Sequence, residues 1–273
     1  MISHALDRRI EAAFRVGRMA GALAKDYFDR RHELAIEHKG LQDLVSLADR
    51  AVEELIRKEL GALFPDDDFL GEEGGGVASD RVWVIDPIDG TMNFLRGLPY
   101  WGVVLAYAVD GRPVIGVTHD PVHDELWVAA EGRGATRNGV PIHVSGLVDP
   151  RAGCIGLSFN FKQPRGRYVD LIDGLIGEGF DHRRMGSSAL KLCHTADGRI
   201  DGAVSLWCNS WDVLAGLLLV TEAGGRATDY TDGCSLTDPR AVLACTPGVA
   251  DALERASGLM LPRPGSASQA PRA

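Results

Sequence analysis

The segment that most constrains this chain is an apolar strand that runs straight into a carboxylate-bearing turn. Val82-Trp83-Val84-Ile85 reads as a buried strand and is followed at once by Asp86-Pro87-Ile88-Asp89-Gly90-Thr91. Pro87 has no N–H for a sheet ladder, and Gly90 admits backbone angles closed to most residues, so the strand is expected to end there in a tight turn. Successive strand side chains point to opposite faces, but a turn can aim Asp86, Asp89 and the Ile88 carbonyl at one point. Three oxygens of that kind suit a hard cation such as magnesium, manganese or calcium. The same residues also spell an Asx-Pro turn with Thr91 capping a helix, since all are turn formers for local reasons. Taken alone, the turn leaves both readings open.

Two other segments favour the cation. Phe69-Leu70-Gly71-Glu72-Glu73-Gly74 puts two carboxylates on a glycine-flanked loop just upstream, and Ser210-Trp211-Asp212-Val213 puts Asp212 at the start of an apolar helix. Each has an ordinary explanation, a solvated acidic loop in one case and a helix cap in the other. The formal net charge of −9 argues against non-specific nucleic-acid binding, which needs a basic field. It would also repel a phosphorylated ligand unless bound cations reversed the local sign.

Along the chain, residues 5–28 carry Leu6, Ile10, Ala13, Gly17, Ala20, Ala24 and Phe28 at helical spacing, and a second helix is expected from Ala48 to Leu60. Strands are expected at Val82–Ile85, Val103–Val109, Val114–Thr118 and Leu126–Ala129, with turns at Asp110-Gly111 and Asn138-Gly139. This predicts an antiparallel sheet flanked by two helices over residues 1–146. From 147 to 261 strands and helices alternate: strand Cys154–Phe159, helix Tyr168–Ile176, helix Ser187–Ala196, strand Gly202–Leu206 and helix Val213–Glu222. The tail at 262–273, rich in Pro, Ser, Gly and Ala, is expected to be disordered. The charged start (Asp7, Arg8, Arg9) does not read as a signal peptide, and no apolar run reaches the ~18–20 residues of a membrane span. Five cysteines without a CxxC pair are expected to be reduced, so a cytoplasmic location is expected.

Taken in order, Gly71–Glu73, Asp86–Phe94 and Trp211–Gly216 resemble the Gly-Glu-Glu, Asp-Pro-x-Asp-Gly-Thr-x-Asn-Phe and Trp-Asp-x-x-x-Gly segments of the inositol monophosphatase family. Lys39-Gly40-x-x-Asp43-Leu44-Val45-Ser46-x-x-Asp49 is similar to its N-terminal signature. The resemblance implies a mixed α+β and α/β fold, a layered α-β-α-β-α sandwich, assembled as a homodimer. It implies a phosphoric monoester hydrolase with two or three magnesium ions per site, manganese as a substitute, and lithium and calcium as inhibitors. Glu72, Asp86 and the Ile88 carbonyl would hold one metal, and Asp86, Asp89 and Asp212 a second. Gly90 and Thr91 would bind phosphate, while Glu72, Thr91 and Asp49 would orient the attacking water. The substrate would be a small phosphorylated metabolite held by Gly186, Ser187, Ser188, Ala189, Ser205 and Asp212.

At one position the chain departs from that pattern. Inositol-hydrolysing members of the family carry a glutamate seven residues before the aspartate that matches Asp212, and here that position is Ser205. A short neutral hydroxyl cannot accept hydrogen bonds as a carboxylate does. Ser205 thus weakens inositol 1-phosphate as the implied substrate without touching the implied phosphatase chemistry. The spacing and the Asp86–Phe94 run, which look most like the inositol branch, still make it the first expectation, with histidinol phosphate, fructose bisphosphate and 3'-phosphoadenosine nucleotides as alternatives. A regulatory binding protein on the same fold is the alternative of another class.

Overall fold

A computed structural model describes residues 2–33, 36–40 and 43–263, with backbone alone at 2–4, 36–40 and 43–46. The side chains of the Lys39–Ser46 signature and the tail beyond Arg263 lie outside the described residues.

Helix α1 (Ile2–Asp29) is followed by the hairpin β1 (Ile36–Gly40) and β2 (Asp43–Ser46), then by α2 (Leu47–Leu63). Next come β3 (Asp68–Gly71), β4 (Gly75–Gly76), β5 (Arg81–Asp89), the short helix α3 (Thr91–Arg96), β6 (Gly102–Val109), β7 (Arg112–Asp120), β8 (Glu125–Ala130), β9 (Ala135–Arg137) and β10 (Val140–Pro141). The second half holds β11 (Cys154–Ser158), α4 (Arg165–Glu178), β12 (Asp181–Arg183), α5 (Ser188–Ala196), β13 (Gly202–Cys208), α6 (Ser210–Glu222), β14 (Arg226–Ala227), β15 (Arg240–Cys245) and α7 (Ala250–Ser257). The larger sheet runs β10-β9-β8-β7-β6-β5-β3-β4 and the smaller β12-β11-β13-β15-β14.

Alternation along the strands sorts these elements into layers. In β5, Trp83 and Ile85 join α1 and α2 in one core, whereas Val82 and Val84 face the other way and pack with residues of α5 and α6. The helix α1 comes close to the sheet because it offers Ala13, Val16, Ala20 and Ala24, all buried, on one stripe. The opposite face of the α5–α6 layer meets Ala203, Val242 and Ala244 of the smaller sheet. The outer face of that sheet, with Ile155, Leu157, Val204 and Leu243, is covered by Leu171 and Leu175 of α4 and Leu253 of α7. The result is the expected α-β-α-β-α sandwich.

The hairpin turns fall where the sequence placed them. Asp110 and Gly111, and likewise Asn138 and Gly139, have positive φ, the type I' geometry that fits the twist of the flanking strands. Three differences matter for function. The strand β5 continues past Asp86, the helix expected from Val213 begins three residues earlier at Ser210, and β3 lies parallel to β5 in a region expected to be antiparallel throughout.

Candidate metal centre between the two sheets

The expectation that the strand stops at Asp86 is corrected by the pairing of β5 with β6. Asp86 lies opposite Val104 and Asp89 opposite Gly102, so three steps on β5 are matched by two on β6. The extra residue is a β-bulge at Pro87-Ile88, one of the few places in a sheet that tolerates a proline. Val104 and Gly102 are two apart and share a face, so the bulge puts Asp86 and Asp89 on one face as well. That face is the one of Val82 and Val84, toward α5 and α6, while Ile88 enters the core under α1 and α2. A regular strand would have sent the two aspartates to opposite sides.

Parallel pairing then brings the acidic loop alongside. Gly71 is in register with Ile85, and the Glu72 N–H donates to the Ile85 carbonyl at 3.1 Å, so Glu72 leaves its strand beside Asp86. Asp212 arrives from the second half in the first turn of α6, where it accepts from the Asn209 N–H at 2.9 Å. It is the third helical residue rather than the cap itself. Carboxylate oxygens of Glu72, Asp86 and Asp212 lie within 4.8 Å of one another, with Asp86 buried and the other two half-buried.

Asp86 feels this crowding most. Burial, then Glu72, Asp89 and Asp212, push its carboxyl well above the usual range. Asp212 is raised to about 7, by burial first and then by Asp89. Three oxygen donors held together against their own repulsion fit a hard divalent cation, which relieves that repulsion directly. The donor chemistry and the packing therefore agree with the metal that the sequence implies.

Asp89 stands beside this group and is turned toward α5. It accepts the Ser187 hydroxyl, the Ser188 N–H at 3.1 Å and the Ala189 N–H at 2.8 Å, and these bonds partly offset the rise that burial imposes on its carboxyl. Ser187 caps α5 by accepting from the Leu190 N–H at 3.0 Å. Of the residues expected to touch substrate, then, Ser187 is buried and structurally engaged, Ala189 is buried, and Ser188 and Gly186 reach the surface. Ser205 is fully buried on β13.

Gly90 precedes α3 with φ of 98°, and a Cβ there would lie 3.1 Å from the Tyr100 carbonyl and 3.3 Å from that of Gly186. Asn93 locks this close approach by donating to the Tyr100 and Met185 carbonyls at 2.7 and 2.8 Å. The Thr91 hydroxyl donates to the Ile88 carbonyl at 3.0 Å, so its oxygen keeps its acceptor capacity. Asp49 is buried in the first turn of α2.

Two residues were not singled out in the sequence. Glu53, buried one turn after Asp49, accepts from the Glu73 and Gly74 N–H groups at 2.9 and 3.0 Å and thereby pins the loop that carries Glu72. Lys191 is buried in α5 with its amine on Ser158 and Ser205. The signal for each was a charged residue on the apolar face of a helix. Three histidines sit elsewhere: His119 on the Gly17 carbonyl at 3.2 Å, His123 on Asp120, and His194 against Tyr100 and Trp127.

A five-layered sandwich with carboxylates converging from both halves defines a class of layered α/β proteins with an acidic centre that could hold a cation. The chain belongs to the inositol monophosphatase family, whose pattern matches residues 5–260. It is 38% identical over 245 residues to a protein of Pasteurella multocida named Nus factor SuhB, covering 88% of this chain and 92% of that one. Among solved structures it is similar to the extragenic suppressor protein suhB from Bartonella henselae, with a TM-score of 0.85, 31% identity and coverage of 92% and 98%. The inositol monophosphatase from Anabaena (Nostoc) gives a TM-score of 0.80 at 32% identity, with coverage of 92% and 96%.

Proposed function

We propose that this chain is a magnesium-dependent phosphomonoesterase acting on a small sugar or polyol phosphate. The observation that carries the reading is the convergence of Glu72, Asp86 and Asp212 within 4.8 Å, from the end of β3, the bulge of β5 and the start of α6. Glu72, Asp86, Asp212 and the Ile88 carbonyl would hold the ions, with Asp89 adjoining. Bound there, divalent cations neutralise phosphate charge and acidify a coordinated water.

The chain's own groups supply the rest. Helix N-termini offer N–H groups without intrahelical partners, so Gly90 and Thr91 would bind phosphate oxygens at the start of α3. Thr91 Oγ, whose hydroxyl donates a hydrogen bond to the Ile88 carbonyl, would accept one from a water. Glu72 would take the other proton of that water as its oxygen bonds to phosphorus, the P–O bond to the alcohol breaks in line and the departing oxygen takes a proton from solvent, while Asp49 would help to hold the water layer. Tying the turn into β5 fixes these groups before substrate arrives, which lowers the entropic part of the barrier.

The test is Asp86→Asn assayed for phosphate release with magnesium across a panel of sugar and polyol phosphates. Loss of turnover by about a thousandfold or more is expected, because a neutral amide replaces the buried carboxylate of the acidic group. Turnover within a factor of a few of the parent would rule the reading out.

A second reading is favoured by the Nus factor name of the Pasteurella relative. In it, the chain binds a protein of the transcription machinery, and the acidic centre is incidental. Asp86→Asn separates the two, since it alters a buried side chain and leaves the outer surface intact. Partner binding retained with turnover lost would show both activities on one chain.

A further inference from the structure

Lys191 lies in the middle of α5 within Ala189-Leu190-Lys191-Leu192-Cys193, and is 2% exposed. Lysine is almost never buried so far without a paired anion, because the ammonium loses its hydration. The groups that receive its amine are two hydroxyls, Ser205 Oγ at 2.6 Å and Ser158 Oγ. Burial lowers its pKa to about 8, with Cys208, Asp89 and Asp212 acting in the opposite sense, so the amine is an ammonium at neutral pH.

The hydroxyls carry this charge outward. Ser158 Oγ lies 3.0 Å from Ser188 Oγ. An ammonium only donates, so Ser158 accepts from Lys191 and keeps its own proton to offer to Ser188 at 3.0 Å. Ser188 then turns its proton onward, and each bond in such a chain polarises the next. Ser158 and Ser188 are both half-buried, and the Ser188 N–H is bonded to Asp89, which places the end of the chain at the lip of the acidic centre. An anion arriving there would pair with a buried cation whose hydrogen-bond partners among the described residues are neutral hydroxyls.

We propose that Lys191, acting through Ser158 and Ser188, makes this wall of the site a donor surface selecting phosphomonoesters whose alcohol portion carries an anionic acceptor, a carboxylate or a second phosphate, over neutral polyol phosphates. Lys191 is a positioning residue here, and Ser188 makes the contact. The inference rests on the phosphomonoesterase reading.

The test compares kcat/KM, with magnesium, for glycerol 1-phosphate, 3-phosphoglycerate and glycerol 1,3-bisphosphate. The first two differ by a neutral CH2OH against a carboxylate, and the third carries the second phosphate, so the arms also tell which anion is preferred. The parent chain is expected to favour one of the anionic esters by about tenfold or more, and Lys191→Met to reduce that preference by about tenfold, mainly through KM. Ser188→Ala, at a half-buried position, is expected to reduce it in the same direction. Equal losses on all three substrates would mean a packing role only and would overturn the proposal. So would a parent chain that hydrolyses glycerol 1-phosphate as well as the anionic esters. A parent chain that releases phosphate from nothing in this or the wider panel would instead overturn the phosphomonoesterase reading itself.

Discussion

Holding the carboxylates of Glu72, Asp86 and Asp212 within 4.8 Å makes protons and metal compete for the same oxygens. Asp212 is raised to about 7 and Asp86 is raised well above the usual carboxylate range, both chiefly by burial. For a carboxyl whose folded pKa exceeds its unfolded one, the proton-linked stability is fully present below the unfolded value and is lost as pH rises through the folded value. The metal-free chain is therefore expected to gain stability as pH falls from about 8 toward about 5 at these sites, while magnesium binding weakens because its ligands must shed protons. Calorimetric titration should show magnesium affinity dropping by about tenfold between about pH 8 and about pH 6. A flat affinity over that interval would mean that the carboxylates are ionised in the fold without crowding. These three residues were legible in the sequence because each stands in a turn-forming or helix-starting context with a carboxylate out of place. Glu53 and Lys191 were not, since their roles are set by contacts with Glu73, Gly74, Ser158 and Ser205, from 14 to 33 residues away, that no local pattern encodes.

At the scale of elements, the site depends on how closely α6 lies against the larger sheet. Gly116 of β7 faces the backbone of α6: a Cβ there would stand 2.7 Å from the Ala215 carbonyl oxygen and 3.0 Å from its Cα. Backbone atoms cannot swing aside as a side chain can, so Gly116→Ala must push the helix away from the strand. The expected loss is about 1–3 kcal/mol in denaturant unfolding, as for overpacking in a close-packed core. Because α6 carries Asp212 in its first turn, magnesium affinity should fall along with stability. A destabilised chain with unaltered magnesium affinity would show that the helix start moves independently of its middle. The periodic helices and the two type I' hairpins could be read from local rules, since 3.6-residue spacing and Asp-Gly or Asn-Gly pairs are short-range signals. The bulge in β5 could not, because it exists only relative to the register of β6. Nor could the strand Arg240–Cys245, whose short apolar run, without alternation, fits a buried strand or a helix turn equally well.

Across the whole molecule, the two halves read from the sequence share one interior. A single buried cluster runs from Val82, Val84 and Val104 of the larger sheet through Leu190, Leu214 and Leu218 of the central helices to Ala203, Val242 and Ala244 of the smaller sheet. Separating the halves would expose that entire layer, at roughly 25 cal/mol for each Å² of apolar surface returned to water. The carboxylate centre is divided in the same way, with Glu72 and Asp86 on one side and Asp212 on the other, so a bound cation favours only the joined state. Unfolding should accordingly be one transition, with tryptophan fluorescence (Trp83, Trp101 and Trp127 in the first half, Trp207 and Trp211 in the second) coinciding with the far-ultraviolet dichroism. Magnesium should shift that transition as a unit, by about 2.7 kcal/mol at a hundredfold excess over its Kd if one ion dominates. Two separated transitions, with magnesium moving only one of them, would mean that the central helices belong energetically to one sheet and that the acidic centre is assembled across a true domain boundary.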